Sequence, residues 1–424
     1  MQAEKKTVLH DFHVKQNAMM ASFGGYDMPL WYPTGVKTEH LAVIRNAGIF
    51  DTSHMAVVTV RGEGARELLQ NCLSKDMDRC IGLKKNALSD GRCVYGIFLN
   101  PDGTVIDDAI IYQLQPDAFM VVVNAAMGGI IAEHLQKSSD REGITIEDLT
   151  DRVGKMDIQG PDSAKILGEI IRNSDQLFEG LTYFSFKGGF GSCTTSTAVE
   201  LNGGTKILVS RTGYTGEFGF ELFVEIDKLQ SLWEGLLKAG EEYGLVACGL
   251  ASRDSLRAGA VLPLSHQDIG PWPFLFNPWQ FALAWSDDGK SFSKDFIGAD
   301  ALLEENDCDH TLPFAGFDPR KIAAGDDTYV INDAGEKIGA ILTCTTDMAI
   351  GRVDGEIIGL ASEGDVPEGF KPKGLSCGFL LLDKHFAPGE LVYLTDGKRK
   401  LKVEIREDVR PGRTARKPIK MMLT

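Results

Sequence analysis

Two adjacent carboxylates, Asp107 and Asp108, interrupt an otherwise apolar run, Val105-Ile106-Asp107-Asp108-Ala109-Ile110-Ile111-Tyr112. A carboxylate in such a run is costly unless it is paired, hydrogen-bonded or protonated. Each is therefore either a structural group bonded to backbone amides or a group held for proton chemistry. Side chains alternate along a strand, so one of the pair shares a face with Ile106 and Ile110 and the other faces away. One is expected at solvent and the other in a cleft. A second candidate is the stretch Arg211-Thr212-Gly213-Tyr214-Thr215-Gly216-Glu217-Phe218-Gly219-Phe220-Glu221. It joins an apolar strand over 207–210 to an alternating one over 218–224. Gly213 and Gly216 permit dihedrals or close approaches that a Cβ would forbid. Its plain reading is a hairpin turn with a solvated Arg211–Glu217 pair; its sharper reading is a loop that presents a carboxylate to a planar, nitrogen-rich ligand. Arg253 and Arg257, four apart on an expected helix over 249–258, share a face. They could bridge carboxylates or clamp an anionic ligand tail. His10 and His13 have a spacing that could bind a metal on a helix, but nothing nearby completes a site. They are expected as surface or packing histidines, and no metal is expected.

The elements that must hold these groups alternate in type. Residues 57–60, 94–100, 105–112 and 119–123 read as strands, with a Pro101-Asp102-Gly103 turn. Residues 64–73 read as a helix with Ala65, Leu68, Leu69 and Cys72 on one face, and a second helix runs over about 126–142. This is an α+β layer unit. A strand over 157–159, the Gly160-Pro161 turn and a helix over 162–172 follow. The helix over 227–243 buries Leu229, Leu232, Trp233, Leu236, Leu237 and Gly240. Asp227 is its expected N-cap and Gly244 its C-terminal glycine. Another short helix is expected to begin at Glu39-His40 and end on a Gly48 cap. Residues 266–285 carry Trp272, Trp279 and Trp285, three of the five tryptophans, and form a pocket wall, a partner surface or a plug between domains. Beyond residue 310, strand–turn–strand units indicate a small β-barrel or sandwich. Residues 356–374, rich in Gly and Pro, read as an inserted loop.

Composition sets bounds. The 424 residues suggest two to four domains. A hydrophobic fraction of 43% and a charged fraction of 25% are those of an ordinary globular protein. The formal charge of −16 argues against nucleic acid and anionic membranes as partners. No run approaches the ~20 apolar residues of a membrane span. The eight scattered cysteines contain no Cys-x-x-Cys, which fits a reducing, cytoplasmic setting.

In order along the chain, the sequence resembles the glycine cleavage system T-protein (aminomethyltransferase) family of folate-dependent one-carbon transferases. The resemblance runs through Phe23-Gly24-Gly25-Tyr26-Asp27-Met28-Pro29, Glu39-His40 with Arg45, Gly48-Ile49-Phe50-Asp51-Thr52-Ser53-His54-Met55, Val105-Ile106-Asp107-Asp108, Val123-Asn124-Ala125 and Gln159-Gly160-Pro161. It continues through residues 211–217, through Gly249-Leu250-Ala251-Ser252-Arg253-Asp254-Ser255-Leu256-Arg257, and into Phe296-Ile297-Gly298. It implies an α+β, three-domain clover-leaf around a central folate channel, with one ferredoxin-like domain and a C-terminal β-barrel. The implied boundaries are 1–55 with about 150–225 for the folate-binding domain, 56–149 with 226–285 for the ferredoxin-like domain, and 286–424 for the barrel. By the same resemblance Asp108, rather than Asp107, matches the catalytic carboxylate. It would hold and polarise the N10 nitrogen of tetrahydrofolate, taking a proton or stabilising positive charge during one-carbon transfer. Glu217 matches the pterin-binding carboxylate and Arg253 a folate-contacting arginine, while Met55, Tyr112, Asn124 and Tyr214 match channel-lining positions. The implied reaction passes an aminomethyl group from the dihydrolipoyl arm of a carrier (H) protein to tetrahydrofolate and releases ammonia.

The departures fall on the donor side. The chain reads Arg257-Ala258-Gly259-Ala260-Val261 and Leu264-Ser265-His266, where the family has Arg-Leu-Glu-Ala-Gly followed by Leu-Tyr-Gly. Its Pro271-Trp272-Pro273-Phe274-Leu275-Phe276-Asn277-Pro278-Trp279-Gln280 segment is also its own. Trp272, Trp279 and His266 are accordingly the candidate donor-side residues. An alternative within the superfamily is a tetrahydrofolate-dependent demethylase that takes a methyl group from a small N-, O- or S-methyl donor. A third reading is a non-catalytic folate-binding protein, although the Lys-Gly-Cys-type motif of such relatives is absent and Asp108 is present.

Overall fold

In the computed structural model, which describes residues 4–139, 142–305, 308–362 and 366–424, strands and helices are mixed, and one of the sheets closes into a six-stranded barrel. The fold is α+β. The first large sheet has seven strands. Its centre is formed by Gly219–Glu225, Val153–Gln159 and Gly48–Asp51, with Val246–Cys248 parallel at one edge. Helices Ser163–Ile170 and Leu229–Ala239 cover one of its faces, burying Leu167, Leu229, Leu232, Trp233 and Leu236 against Met156, Ile158, Phe220 and Leu222. The sequence-expected boundary at 226 is therefore not where the sheets divide. The helix that follows it packs on this sheet's core, and the strand Val246–Cys248 pairs with Gly48–Phe50 at its edge.

The second sheet is antiparallel with five strands. Ala56–Arg61, helix Ala65–Cys72, Val105–Gln115, Ala118–Val123, helix Gly128–Lys137 and Thr145–Asp148 follow the β-α-β-β-α-β order of a ferredoxin-like unit, with Arg92–Leu99 added at its edge. Ala65, Leu68, Leu69 and Cys72 are buried as their spacing predicts. The barrel joins His310–Gly316, Leu375–Leu382, Lys337–Asp347, Tyr329–Ile331, Leu391–Thr395 and Lys400–Ile405. Between barrel and second sheet lies an apolar layer in which Phe274, Leu275, Trp279 and Leu283 pack on Ile97, Leu99 and Phe379. Residues 266–285 thus contribute a plug between units.

Several local expectations are corrected. Asp227 does not cap its helix: residues Ile226–Lys228 form a 3-10 turn, Lys228 is the N-cap, and the Asp227 carboxylate accepts from Lys228 Nζ at 2.7 Å. Gly48 is not a helix cap but the first residue of a strand, since helix Val36–Arg45 already ends at Asn46. Residues 356–374 begin not as a loop but as strand Glu356–Gly359, hairpinned to Ile350–Val353; residues 363–365 lie outside the described residues. His10 and His13 are buried on Asp27 and Asp51, at 2.8 and 2.9 Å. They are packing histidines.

Candidate active site

Strand phase decides what the seven-stranded sheet offers. In Lys155-Met156-Asp157-Ile158-Gln159, polar and apolar residues alternate, so the sheet has one oily face and one polar face. Asp157 sits opposite Glu221 on one side and Phe50 on the other, which puts these side chains on the face away from the helices. That face borders a cavity of about 1670 Å³. Glu221 opens on it from the first sheet, and Tyr95, Asp108 and Asn124 from the second. The Phe23, His54 and Met55 side chains, helix residue Arg253, and Thr345 and Thr346 of the barrel also line it.

Alternation sends the two adjacent carboxylates to opposite sides of their strand, but the one that faces away from the cavity is buried and not, as expected, at solvent. Asp107 is fully buried and accepts from the Asn124 backbone N–H (2.9 Å), Asn124 Nδ2 (2.7 Å) and Ser265 Oγ (2.6 Å). Asp108 faces the cavity, accepting from Tyr95 OH at 2.8 Å and Asn124 Nδ2 at 2.6 Å. A single amide therefore orients both carboxyl groups. Burial, and then the neighbouring Asp107 charge, push the Asp108 carboxyl up to about 7, against the Tyr95 and Asn124 hydrogen bonds that favour its ionised form. Such a group can hold or release a proton at neutral pH.

On the opposite wall, Lys155 Nζ donates to Glu221 Oε1 (2.6 Å), Asp157 Oδ1 (2.7 Å) and Thr52 Oγ1 (3.1 Å). Glu221 Oε2 also accepts from Thr212 Oγ1 and, at 3.3 Å, from Tyr112 OH. Asp157 Oδ2 receives Arg253 Nη1 at 2.6 Å, and the Arg253 guanidinium lies 4.9 Å from the Tyr214 ring centre. Burial alone would raise the Asp157 carboxyl, but Lys155 and Arg253 hold it down to about 2. Burial pushes His54 down to about 4, so its imidazole is neutral, edge-on to Phe23 at 5.6 Å.

Of the residues named from sequence, Asp108, Asn124, Met55, Tyr214, Arg253 and Trp279 are brought together on this cavity. Trp279 is almost wholly buried, anchored by Nε1 to the Val261 carbonyl at 2.9 Å. Four others are not on the lining. Glu217 turns away: Arg410 Nε (3.1 Å), Thr414 Oγ1 (2.6 Å) and Thr414 N (3.3 Å) occupy its two oxygens. Tyr112 lies beneath Glu221, its ring packed on Phe186 and Phe223. Trp272 folds back over Gly270 beside the hairpin of the second sheet, where neighbouring Pro273 bridges to Thr104. His266 is half-exposed, its Nε2 3.7 Å from buried Asp107 on the far side from the cavity-facing Asp108. Sequence reasoning missed Glu221, Lys155 and Tyr95 as site residues. For the first two the signal was present in the Lys-x-Asp-x-Gln alternation and in the strand position of Glu221, whereas Glu217 lies in the preceding turn. Tyr95 carried no comparable signal. Among the described residues, no cluster of three or more His, Cys, Asp or Glu side chains could hold a metal ion.

Comparison with known proteins agrees with this architecture. Residues 9–286 match the family described as the GCVT N-terminal domain. The chain is 34% identical to the aminomethyltransferase of Symbiobacterium thermophilum over 342 residues, covering 80% of this chain and 85% of the relative. It is 36% identical to that of Chlorobium limicola over 301 residues, covering 71% and 76%. Among solved structures it is similar to the glycine cleavage system aminomethyltransferase T of Bartonella henselae, with a TM-score of 0.75, 24% identity and coverage of 97% and 98%. That last likeness speaks for the fold.

Proposed function

The chain belongs to the GCVT N-terminal domain family, and from that premise we propose how it works as a folate-dependent aminomethyltransferase of glycine cleavage: Asp108 handles the proton and Glu221 holds the acceptor. The observation that carries this reading is that the two carboxylates, borne by different sheets, open on one cavity. Tetrahydrofolate is the acceptor, and when bound it supplies the nitrogen that takes up the one-carbon unit. The residues present suit it. A pterin edge carries amino and ring N–H donors, and a carboxylate accepts such donors as a pair. Glu221 has that chemistry and is on the cavity lining, whereas Glu217 is off the lining and is turned toward Arg410 and Thr414.

The remaining work falls to this chain's side chains. Tyr95 and Asn124 orient the Asp108 carboxyl, which takes up or returns a proton at its cavity-facing oxygens. Arg253, tied to Asp157, and the Tyr214 ring it lies against form a flat wall for a ring-shaped ligand. Met55 and Trp279 add apolar surface that keeps water from the transfer. In this reading the donor is an aminomethyl group on the dihydrolipoyl arm of a carrier (H) protein, and the products are methylene-tetrahydrofolate, ammonia and the free carrier. A cytoplasmic setting belongs to the same reading, since the eight cysteines are scattered and contain no Cys-x-x-Cys.

Product analysis tests it. Incubation with aminomethylated carrier protein and tetrahydrofolate should yield methylene-tetrahydrofolate and ammonia in equal amounts. No product from the carrier, together with methyl-tetrahydrofolate from a small N-, O- or S-methyl compound, would transfer the chain to the demethylase reading.

A further inference from the structure

The floor of the acceptor side is a chain of four alternating charges: Glu221, Lys155, Asp157 and Arg253. Lys155 is its pivot. It is 1% exposed, and its three donors are spent on Glu221, Asp157 and Thr52. Asp157 is fully buried and has a second cation in Arg253, whereas Lys155 is the one cation in contact with Glu221 among the described residues. The other groups facing Glu221 supply no compensating charge. They are the hydroxyls of Thr212 and Tyr112 in contact, with the Cys93 thiol, the Tyr183 phenol and the Asp157 carboxylate nearby. A buried carboxylate without a counterion takes a proton instead of remaining charged. A protonated Glu221 would present an O–H where the ligand also presents N–H donors, so donor would meet donor.

We propose that Lys155 is a positioning residue for the acceptor: by pairing with Glu221 it keeps that carboxylate an ionised, correctly aimed acceptor for a neutral, N–H-bearing ring, and it acts on the ligand only through Glu221. The inference rests on the assignment of Glu221 to the acceptor, and it extends that assignment to the residue on which it depends. It also accounts for a lysine in the middle of a strand whose neighbours Met156 and Ile158 are in the apolar core. The four charges sum to zero, so the floor selects an uncharged hydrogen-bonding edge over an anionic one.

The test pairs a ligand-free readout with a ligand-bound one. In Lys155→Met the Glu221 carboxyl, buried without its cation, should titrate above the ordinary carboxylate range in the folded state. The loss of melting temperature relative to wild type should then grow as pH rises from about 4 to about 7. Tetrahydrofolate affinity, measured by calorimetry, should fall on the order of tenfold in this variant and weaken further as pH is lowered, whereas Lys155→Arg should restore the wild-type pH profile. A melting-temperature loss that is the same at every pH, or an affinity loss with no pH dependence, overturns the proposal. Should Lys155→Met not fold, the Glu221→Gln background decides. Glu221→Gln and Glu221→Gln/Lys155→Gln should bind tetrahydrofolate equally, and a further loss in the double variant overturns the proposal. If the pH-dependent melting signature is present and wild type binds no tetrahydrofolate, the assignment of the acceptor fails while the dependence of Glu221 on Lys155 stands.

Discussion

At the scale of single residues, three carboxylates set the pH behaviour: Asp108 is shifted up, and Asp51 and Asp157 are shifted down. Asp108 is raised to about 7, so aminomethyl transfer that needs its ionised form should rise with pH through that value. Asp108→Asn should bind tetrahydrofolate yet lose turnover by roughly 10²–10⁴-fold, and full activity in that variant removes Asp108 from the mechanism. The sign for stability is the reverse. A carboxyl raised in the folded state binds its proton more tightly there, so between its ordinary value near 4 and about 7 the wild type loses stability as pH rises. Scanning calorimetry should therefore find Asp108→Asn gaining on wild type across that interval. Asp51 and Asp157 are held at about 2 by their cationic and hydrogen-bonding partners. Their contribution is present above the unfolded carboxylate range and is lost as pH falls from about 4 to about 2, which locates the onset of acid unfolding. Glu221→Ala should abolish tetrahydrofolate binding, while Glu217→Ala should cost mainly melting temperature, because it strips Arg410 of a partner inside the protein. Equal losses of affinity in both would contradict the division of roles.

At the scale of elements, whatever rests on periodicity was legible from the sequence and whatever rests on distant partners was not. The buried face of Ala65–Cys72 follows from 3.6-residue spacing, and the strand bearing Asp107 and Asp108 from its β-branched run. The turn between Leu208–Ser210 and Gly219–Glu225 was legible as a turn, but not in what it presents. Glu217 reads as a ligand group until Arg410, 193 residues later, is seen to occupy it. Glu221 reads as an ordinary strand residue until its cross-strand neighbour Asp157 fixes its face. Gly213 is needed here for space: a Cβ would come within 2.2 Å of Gln159 Oε1. Gln159 in turn accepts from Thr215 Oγ1 at 3.0 Å, so Gly213→Ala should misplace the whole turn. The expected cost is about 1–3 kcal/mol of stability with a parallel loss of tetrahydrofolate affinity. Gly203→Ala, at a glycine with open space around it, serves as the neutral control.

At the scale of the whole molecule, buried ionic contacts tie the first sheet to the barrel. His40 is hydrogen-bonded to Ser255 Oγ at 2.7 Å and to Asp347 Oδ1 at 3.0 Å. Arg410 reaches Asp347 at 2.6 Å and Glu217 at 3.1 Å. Arg410→Met leaves both carboxylates buried without their shared cation and should cost about 3–5 kcal/mol, read as a fall in the chemical denaturation midpoint. A change below about 1 kcal/mol would mean that the contacts are dispensable. The segment that carries Arg410 also threads across the acceptor side, where Arg211 Nη2 donates to the Ala415 and Lys417 carbonyls at 2.9 and 3.2 Å. This has a consequence during synthesis. A ribosome adding about 5–20 residues per second needs roughly 10–40 s to travel from Glu217 to Arg410. Throughout that interval the nascent turn lacks the strap that closes it. The turn therefore reaches its native contacts only after the last barrel strand, Lys400–Ile405, has been made.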